Sequence, residues 1–203
     1  MTKVGIVDYG GGNLRSLCRA VELLGYTVHL ISQEEDLEGL THILFPGQGA
    51  YGDCLKKLED RSLKGPLLDW IEADKPFFGI CVGYQLLFNG SEEAPGDKGF
   101  EVISGEIVKF RDESLKVPHM GWNALKGIDQ AHPYWAGMRE DPYFYFVHSY
   151  YSEGVPSDVA AGYCEYGKKF TACIIKGNLL ATQFHPEKSQ ENGILLLKNF
   201  LNS

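Results

Sequence analysis

Short apolar runs that alternate with helical patterns are the feature that most restricts the fold of this chain. Four such runs have the length of buried strands, at residues 3–8, 27–31, 42–47 and 76–80. Between them, apolar residues recur at helical spacing from Leu14 to Leu24, with Gly25 as a C-cap, and again from about Asp53 to Ala73, interrupted at Gly65-Pro66. Because parallel neighbours need a crossover connection, this alternation predicts an α/β fold with an open, mostly parallel sheet and helices on both faces.

From about Phe100 the pattern changes to strand-like segments separated by turns. These segments are residues 100–110, 143–151, 158–166, 170–177 and 179–186. A run of this kind predicts antiparallel additions to the parallel core. Ile194, Leu197 and Leu201 share one face of a predicted closing helix. Since no repeat or linker-like tract interrupts the pattern, the sequence predicts a single domain over residues 1–203.

The composition argues against nucleic acid and membrane partners. The 203 residues carry a formal net charge of −8, which disfavours binding to a phosphate backbone. No apolar run approaches the roughly 18 residues that span a bilayer, and the N-terminal residues lack a signal-peptide pattern, so we expect a cytoplasmic protein. The five cysteines show no C-x-x-C spacing, and no zinc site or redox pair is predicted.

The stretch FFGICVGYQLLF places Cys81 between two apolar runs. Phe77 to Ile80 are predicted as the end of a buried strand, and the residues after Cys81 recur at helical spacing. A cysteine in the first turn of a helix meets unpaired backbone N–H groups, which favour the nucleophilic thiolate. Gly79 and Gly83 suit a sharp strand-to-helix elbow that displays a nucleophile. Core packing, common for a free cysteine, is the alternative.

A second candidate constellation lies in QFHPEKS, near the end of the last predicted strand. His185 and Glu187 are two residues apart, so in an extended chain their side chains project to the same side. The carboxylate can then orient the imidazole while the other ring nitrogen faces a nucleophile. A surface His-Pro-Glu without a role is the first alternative. Metal ligation is the second, weakened because no other His or Cys is near in sequence.

Loops at the carboxyl ends of parallel strands are the expected place for a site. The glycine-rich PGQGAYG, residues 46–52, offers backbone N–H groups suited to a developing oxyanion, with an ordinary turn as the alternative. YGGGN after the first strand matches only half of the dinucleotide fingerprint, because Arg15 occupies the third glycine position. We therefore expect no cofactor and no metal.

Taken together, PGQGAYG, GICVGYQLLF and HPEKS resemble, in this order and spacing, the class I (triad) glutamine amidotransferases. DYGGGNLRSL, VPHMGWN and YFYFVHSYY narrow the resemblance to the glutaminase subunits of imidazole glycerol phosphate synthase, over essentially the whole chain. The resemblance implies a flavodoxin-like open sheet. It also implies hydrolysis of glutamine to glutamate and ammonia through a cysteine thioester, without a cofactor, in histidine biosynthesis.

The resemblance also implies residue roles. It makes Cys81 the nucleophile, His185 the general acid and base, and Glu187 the residue that orients His185. The implied oxyanion hole uses backbone N–H groups of Val82 and of Gln48 or Gly49. The implied glutamine-binding residues are Gln85, His148, Ser149 and Tyr150. Gln48 stands where valine is common in this family, in a loop whose peptide is expected to reorient on activation; we expect activation by a partner to be retained.

The implied partner is a cyclase subunit, a (β/α)8 barrel that forms a heterodimer with the glutaminase and receives its ammonia through the protein interior. The residues implied to line or approach that interface are Asn13, Arg15, Trp122 and Tyr145, with core packing as the alternative for Trp122 and Tyr145. Two other functions stay open: a paralogue that feeds another synthase, for instance in surface-sugar biosynthesis, and a non-catalytic regulatory module.

Overall fold

Apolar strands from the two ends of the chain make the parallel half of the main sheet. β1 (Val4–Val7), β3 (His42–Gly47) and β4 (Phe77–Cys81) are buried along their length, and β2 (Val28–Ile31) forms the more exposed edge. β12 (Leu179–Thr182) joins β4 in parallel. The order β2-β1-β3-β4-β12 is that of a flavodoxin-like sheet, as predicted. This computed structural model describes residues 2–10 and 14–203.

Helices cover both faces of this sheet. They are α1 (Leu14–Leu23), α2 (Tyr51–Asp60), α3 (Lys64–Glu72), α4 (Val82–Gln85) and α5 (Gln190–Leu201). Because side chains alternate across a strand, neighbours on β3 and β4 point to opposite faces. His42 and Phe78 pack on Phe200 of α5, with ring centroids 5.5 and 5.2 Å away. Phe45 and Phe77 face the other side, where Phe45 lies beside α4.

Antiparallel strands extend the sheet beyond β12, as the second half of the sequence predicts. β11 (Lys168–Lys176) pairs with β12 and carries β10 (Ala160–Tyr166) and β9 (Tyr150–Glu153) as further neighbours. β6 (Glu106–Lys109) follows β9, and the two-residue β5 (Gly90–Ser91) closes that edge in parallel with β6. The extension places the 148–150 segment beside the carboxyl end of β4, where a site is expected.

A separate two-stranded antiparallel ribbon consists of β7 (His119–Ala124) and β8 (Tyr143–His148). One face of this ribbon is buried and carries Phe144 and Phe146, whereas Met120 and Trp122 project outward and are exposed. β7 was not predicted, because the VPHMGWN segment contains two polar residues and a glycine and shows little β-branched character.

Several predicted boundaries are wrong. The helical stretch breaks at residues 61–63, where Ser62 has φ 54°, rather than at Gly65-Pro66. Pro66 instead lies in the first turn of α3, where its missing N–H has no intrahelical partner to lose. The helix expected after Cys81 is a single turn, α4, so a helix dipole contributes little there.

Three predicted strands are shorter than expected or divided. Residues 100–110 contain only β6, because Glu101 and Gly105 adopt positive φ and bend the chain before it. Residues 143–151 divide at Ser149 into β8 and β9, which belong to different sheets. The strand expected over 179–186 ends at Thr182; the Gln183 N–H still donates to the carbonyl of Ala172, and a bend follows at residues 183–184.

Among the helices within the described residues, none combines the length and apolar character needed to cross a membrane.

The glycine at position 83 gives a first prediction. A Cβ there would collide with the carbonyl oxygen of Phe45, a backbone atom that cannot easily move. We expect Gly83→Ala to lower the free energy of unfolding by about 1–3 kcal/mol, the usual cost of overpacking. Gly65→Ala is the matched control, because a Cβ at that helical position meets nothing within 4 Å. The control should change the free energy of unfolding by less than about 1 kcal/mol, because the helix preference of alanine is offset by the Pro66 ring that follows it. Urea unfolding measures both, and equal free energies for the two variants would contradict the prediction.

Candidate active site

Cys81 sits on a strained elbow at the end of β4. Its backbone has φ 56° and ψ −108°, a conformation that costs a non-glycine residue about 1–3 kcal/mol. Three glycines let the chain pack tightly enough to hold this turn. A Cβ on Gly79 would lie 2.8 Å from the carbonyl oxygen of Gly83, and a Cβ on Gly47 would overlap the Val82–Gly83 backbone. The predicted elbow is confirmed, with Gly47 as a member that the sequence analysis missed.

His185 and Glu187 meet as predicted, although through a different geometry. His185 precedes a 3-10 turn over Pro186–Lys188, so the two side chains converge across a turn and not along an extended strand. His185 Nδ1 lies 2.8 Å from Glu187 Oε1, and both side chains are buried. The carboxylate therefore accepts from Nδ1 and leaves Nε2 for another partner.

The electrostatics of His185 couple it to Cys81. Burial lowers the pKa of the imidazole, but the charge of Cys81, a hydrogen bond with the Cys81 side chain, and the bond to and charge of Glu187 together raise it to about 10. The sulfur and the imidazole are thus within hydrogen-bonding reach. This arrangement favours an imidazolium at neutral pH, with its charge next to the Cys81 sulfur.

A buried glutamine pair, which includes a residue that the sequence analysis missed, approaches the sulfur from a second direction. Gln183 Nε2 lies 3.8 Å from Cys81 Sγ, and Gln85 Nε2 donates to Gln183 Oε1 at 3.0 Å. Gln85 also donates to the carbonyl of Tyr150 at 3.4 Å. Gln183 is fully buried, and a polar residue following the apolar run LLAT was the available sequence signal.

The loop expected to build an oxyanion hole holds one of its amides elsewhere. The Gln48 N–H donates to the Tyr9 hydroxyl at 3.2 Å, and Cys54 Sγ lies 3.5 Å from both that hydroxyl and the Gln48 carbonyl oxygen. Burial raises the pKa of Tyr9, so its hydroxyl stays neutral. In this conformation the Gln48 N–H points to Tyr9, so of the two amides predicted in this loop, that of Gly49 stays the candidate oxyanion donor beside Val82.

A cavity of about 390 Å³ opens in front of Cys81. Its size fits a small ligand. The predicted site residues that line it are Cys81, His185, Gln48, Gly49, Val82, Gln85, His148, Ser149 and Tyr150. Glu187 lies behind His185. Two charged lining residues, Glu93 and Lys188, were missed, because neither stands in a pattern that distinguishes it from a solvated surface charge.

The residues predicted for a partner interface lie in different environments. Trp122 is 45% exposed, so its core-packing alternative is wrong; its ring meets the half-buried Tyr145 edge-on, with centroids 6.1 Å apart. Arg15 is exposed in the first turn of α1, and Asn13 lies outside the described residues. The ribbon is joined to the site, because the His185 N–H donates to the Tyr145 carbonyl at 3.0 Å.

Comparisons with known proteins find relatives over the full length of the chain. The family described as glutamine amidotransferase class-I matches residues 5–203. The chain is 42% identical to the imidazole glycerol phosphate synthase subunit HisH of Gloeothece citriformis, over 100% of this chain and 96% of that one. It is 43% identical to the subunit of the same name from Acinetobacter baylyi, over 99% and 98%. A crystal structure of a glutamine amidotransferase, 20% identical, superposes with a TM-score of 0.77 over 98% of this chain and 97% of that one, which supports the fold.

A titration of His185 tests the ion-pair geometry. Glu187→Gln keeps an acceptor oxygen but removes the charge, so we expect the pKa of His185 to fall below about 10. The pKa of His185 is higher in the folded protein than in the unfolded chain, so the charged ring adds to the free energy of unfolding. This contribution is complete below the unfolded pKa of about 6.5 and is lost as the pH rises through the folded pKa. The Glu187→Gln variant should lose this contribution at a lower pH than the wild-type protein. NMR titration of the His185 ring measures its pKa, and unfolding between pH 6 and 11 measures the stabilisation. The exposed Glu191→Gln is the control. An unchanged pKa of His185 in Glu187→Gln would refute the coupling.

Proposed function

This chain belongs to the class-I glutamine amidotransferase family, and from that premise we propose that it is the glutaminase subunit of an imidazole glycerol phosphate synthase. It hydrolyses glutamine to glutamate and ammonia and supplies the ammonia for a step of histidine biosynthesis. The observation that carries the proposal is the convergence of Cys81, His185 and Glu187 in front of a ligand-sized cavity.

In the first half-reaction, the Cys81 thiolate attacks the side-chain amide carbon of glutamine. A C–S bond forms, and the carbonyl electron pair moves to oxygen, where the backbone N–H groups of Val82 and the 48–49 loop stabilise the charge. The His185 imidazolium then gives its proton to the amide nitrogen, the C–N bond breaks, and ammonia leaves. The product on the protein is a glutamyl thioester.

In the second half-reaction, neutral His185 takes a proton from water as the water oxygen attacks the thioester carbon. The C–S bond breaks, glutamate is released, and the thiolate–imidazolium pair is restored. Glu187 holds the imidazole orientation through both steps, because its carboxylate stays bonded to Nδ1 while Nε2 exchanges the proton.

The charged residues of the cavity suit the amino-acid end of glutamine. Glu93 Oε2 accepts the backbone N–H of Tyr51 at 2.9 Å, which fixes the carboxylate at the start of α2. Its negative charge is placed to pair with the substrate ammonium, and Lys188 provides a positive charge for the substrate carboxylate. Gln85 and the 148–150 segment then hold the amide end near Cys81.

A cyclase subunit is the partner that this function requires. Free ammonia is mostly ammonium at neutral pH and cannot attack, so it must be passed on without release. The outward face of the β7/β8 ribbon, with Met120 60% and Trp122 45% exposed, suits a protein interface because large apolar side chains are rarely left open to water. The same ribbon carries Val147, which lines the cavity. We propose this face as the docking surface for a (β/α)8-barrel cyclase in a heterodimer.

We also propose that the chain forms one domain and works in the cytoplasm. One hydrophobic cluster links residues from Val4 to Leu201. All five cysteines are unpaired, which suits a reducing compartment.

The decisive test uses the complex with a candidate cyclase. We expect glutamine-dependent cyclisation with the wild-type chain, and a glutaminase rate that rises when cyclase and its ligand are added. Cys81→Ala should lower glutamine-dependent turnover by about three orders of magnitude or more while cyclisation from added ammonium salt continues. Undiminished glutamine hydrolysis by Cys81→Ala would refute the enzymatic assignment. Activity with a different synthase only would favour the paralogue.

The Tyr9 hydroxyl provides a prediction on activation. Tyr9→Phe removes the acceptor of the Gln48 N–H but keeps the ring, which packs edge-on against Phe45 at 6.1 Å. We expect the partner-free glutaminase rate to rise by about two- to tenfold, the worth of one hydrogen bond, and the activation factor to fall. Tyr26→Phe, which loses a surface bond to Asn202, is the control. A partner-free rate that does not rise in Tyr9→Phe would exclude a restraining role for the hydroxyl.

A further inference from the structure

A row of polar side chains, two buried histidines and the half-buried Asn123, lies on the inward face of the β7/β8 ribbon, behind the proposed glutamine-binding wall. His119 and His148 are direct cross-strand partners, and His119 Nδ1 lies 2.9 Å from His148 Nε2. His148 Nδ1 lies 2.6 Å from the carbonyl oxygen of Tyr150, and Asn123 Nδ2 lies 3.4 Å from His119 Nε2. We call Asn123, His119, His148 and the Tyr150 carbonyl the histidine relay.

The direction of every bond in the histidine relay follows from its two ends. The Tyr150 carbonyl only accepts, so His148 Nδ1 carries the hydrogen and Nε2 accepts from His119 Nδ1. His119 Nε2 must then accept from Asn123. The Asn123 amide is oriented for this, because its oxygen accepts the Ala124 N–H at 2.8 Å and its nitrogen also donates to the Glu165 carbonyl at 3.0 Å. Each imidazole is therefore neutral, in the Nδ1–H form.

The surroundings of the two rings support neutral forms. His119 is stacked between Phe146 and Tyr166, with ring centroids 5.0 and 4.0 Å away. Burial lowers the pKa of His119 to about 4 and that of His148 to about 3, the latter despite its bond to Tyr150 and with added repulsion from His119 and His185. Among other titratable groups, His185 repels a charge on His148, and Tyr166, which stacks on His119, donates its hydroxyl to the carbonyl of Lys116. A proton on either ring would set two N–H groups against each other.

The Tyr150 carbonyl joins the histidine relay to the reacting sulfur. It also accepts from Gln85, whose amide donates to Gln183, and Gln183 lies against Cys81 Sγ. Donors from the ribbon and from α4 therefore converge on one carbonyl in the wall of the cavity. If the donor from His148 is lost, the Tyr150 carbonyl keeps, of these two side-chain donors, the longer bond from Gln85.

We propose that His119 and His148 are positioning residues for glutamine hydrolysis, a neutral imidazole pair that holds the 148–150 wall in register with Cys81. The proposal rests on the proposed glutaminase function and deepens it. The role differs from direct glutamine binding by His148, because both of its ring nitrogens are bonded inside the protein. Since the pair fixes the wall and not the reacting atoms, its loss raises KM for glutamine more than it lowers kcat.

The test compares two replacements of His119 in the chain–cyclase complex. His119→Phe keeps an aromatic ring between Phe146 and Tyr166 but leaves His148 Nε2 without a donor; His119→Asn keeps a donor near the Nδ1 position. We expect His119→Phe to raise KM for glutamine about tenfold with kcat changed less than about threefold, and His119→Asn to recover most of that KM. His29→Phe, on the edge strand β2, is the control. Wild-type KM in a folded His119→Phe, or equal KM values for the two variants, would overturn the proposal.

A second measurement does not depend on the variants folding. In the wild-type chain, ¹⁵N chemical shifts of both rings at pH 7 should report neutral imidazoles protonated at Nδ1. An Nε2–H tautomer or a charged ring at either position would overturn the relay. The proposed function is tested separately, because wild-type glutamine-dependent cyclisation and the Cys81→Ala variant decide it whatever the histidine variants do.

Discussion

The close packing of Gly83 on the carbonyl of Phe45 is the contact on which the site depends. It brings the first turn of α4 against the end of β3 and leaves no room for a side chain at positions 47, 79 or 83. With the backbone this close, Cys81 takes a strained conformation and its sulfur faces the carboxyl edge of the sheet, where the glycine-rich loop over residues 46–52 also begins. Main-sheet packing therefore sets the position of the sulfur, and loop flexibility does not.

The parallel core was predictable because its signals are local. The runs at 42–47 and 76–80 read directly as β3 and β4, and Gly25 ends the first helical pattern at φ 88° as expected of a C-cap. The errors arose where tertiary contacts override local pattern. Residues 143–151 show one continuous strand-like sequence pattern although β8 and β9 belong to different sheets. Nothing in that pattern marks Ser149 as the point where the strand divides.

The site residues also separate into those that local sequence predicts and those that tertiary contacts determine. Cys81, His185 and Glu187 were identifiable because each stands in a short motif whose residue types carry chemistry. Gln183, Glu93, Tyr9 and the His119–His148 pair gain their roles only from partners that are distant in the chain, such as the bond from Gln85 to Gln183 across 98 residues. A buried polar group must find a partner, but the sequence does not say which. The glycine-rich loop over residues 46–52 is similar, since the orientation of its Gln48 amide depends on a hydroxyl 39 residues earlier.

The attachment of His185 to the ribbon has a consequence for how such a pair of subunits evolves. The His185 N–H donates to the carbonyl of Tyr145, and the Tyr145 N–H donates to the Ser189 hydroxyl. The backbone of His185 is therefore hydrogen-bonded directly to the ribbon. Trp122 is the cross-strand partner of Tyr145 in the ribbon, and its side chain is exposed to solvent. Under the proposed docking of a cyclase on this face, a mismatched subunit from another lineage that seats poorly on Trp122 would disturb proton transfer at His185 before it weakens assembly. Hybrid pairs would then form stable but slow enzymes, and selection on this surface would act through turnover and not through affinity.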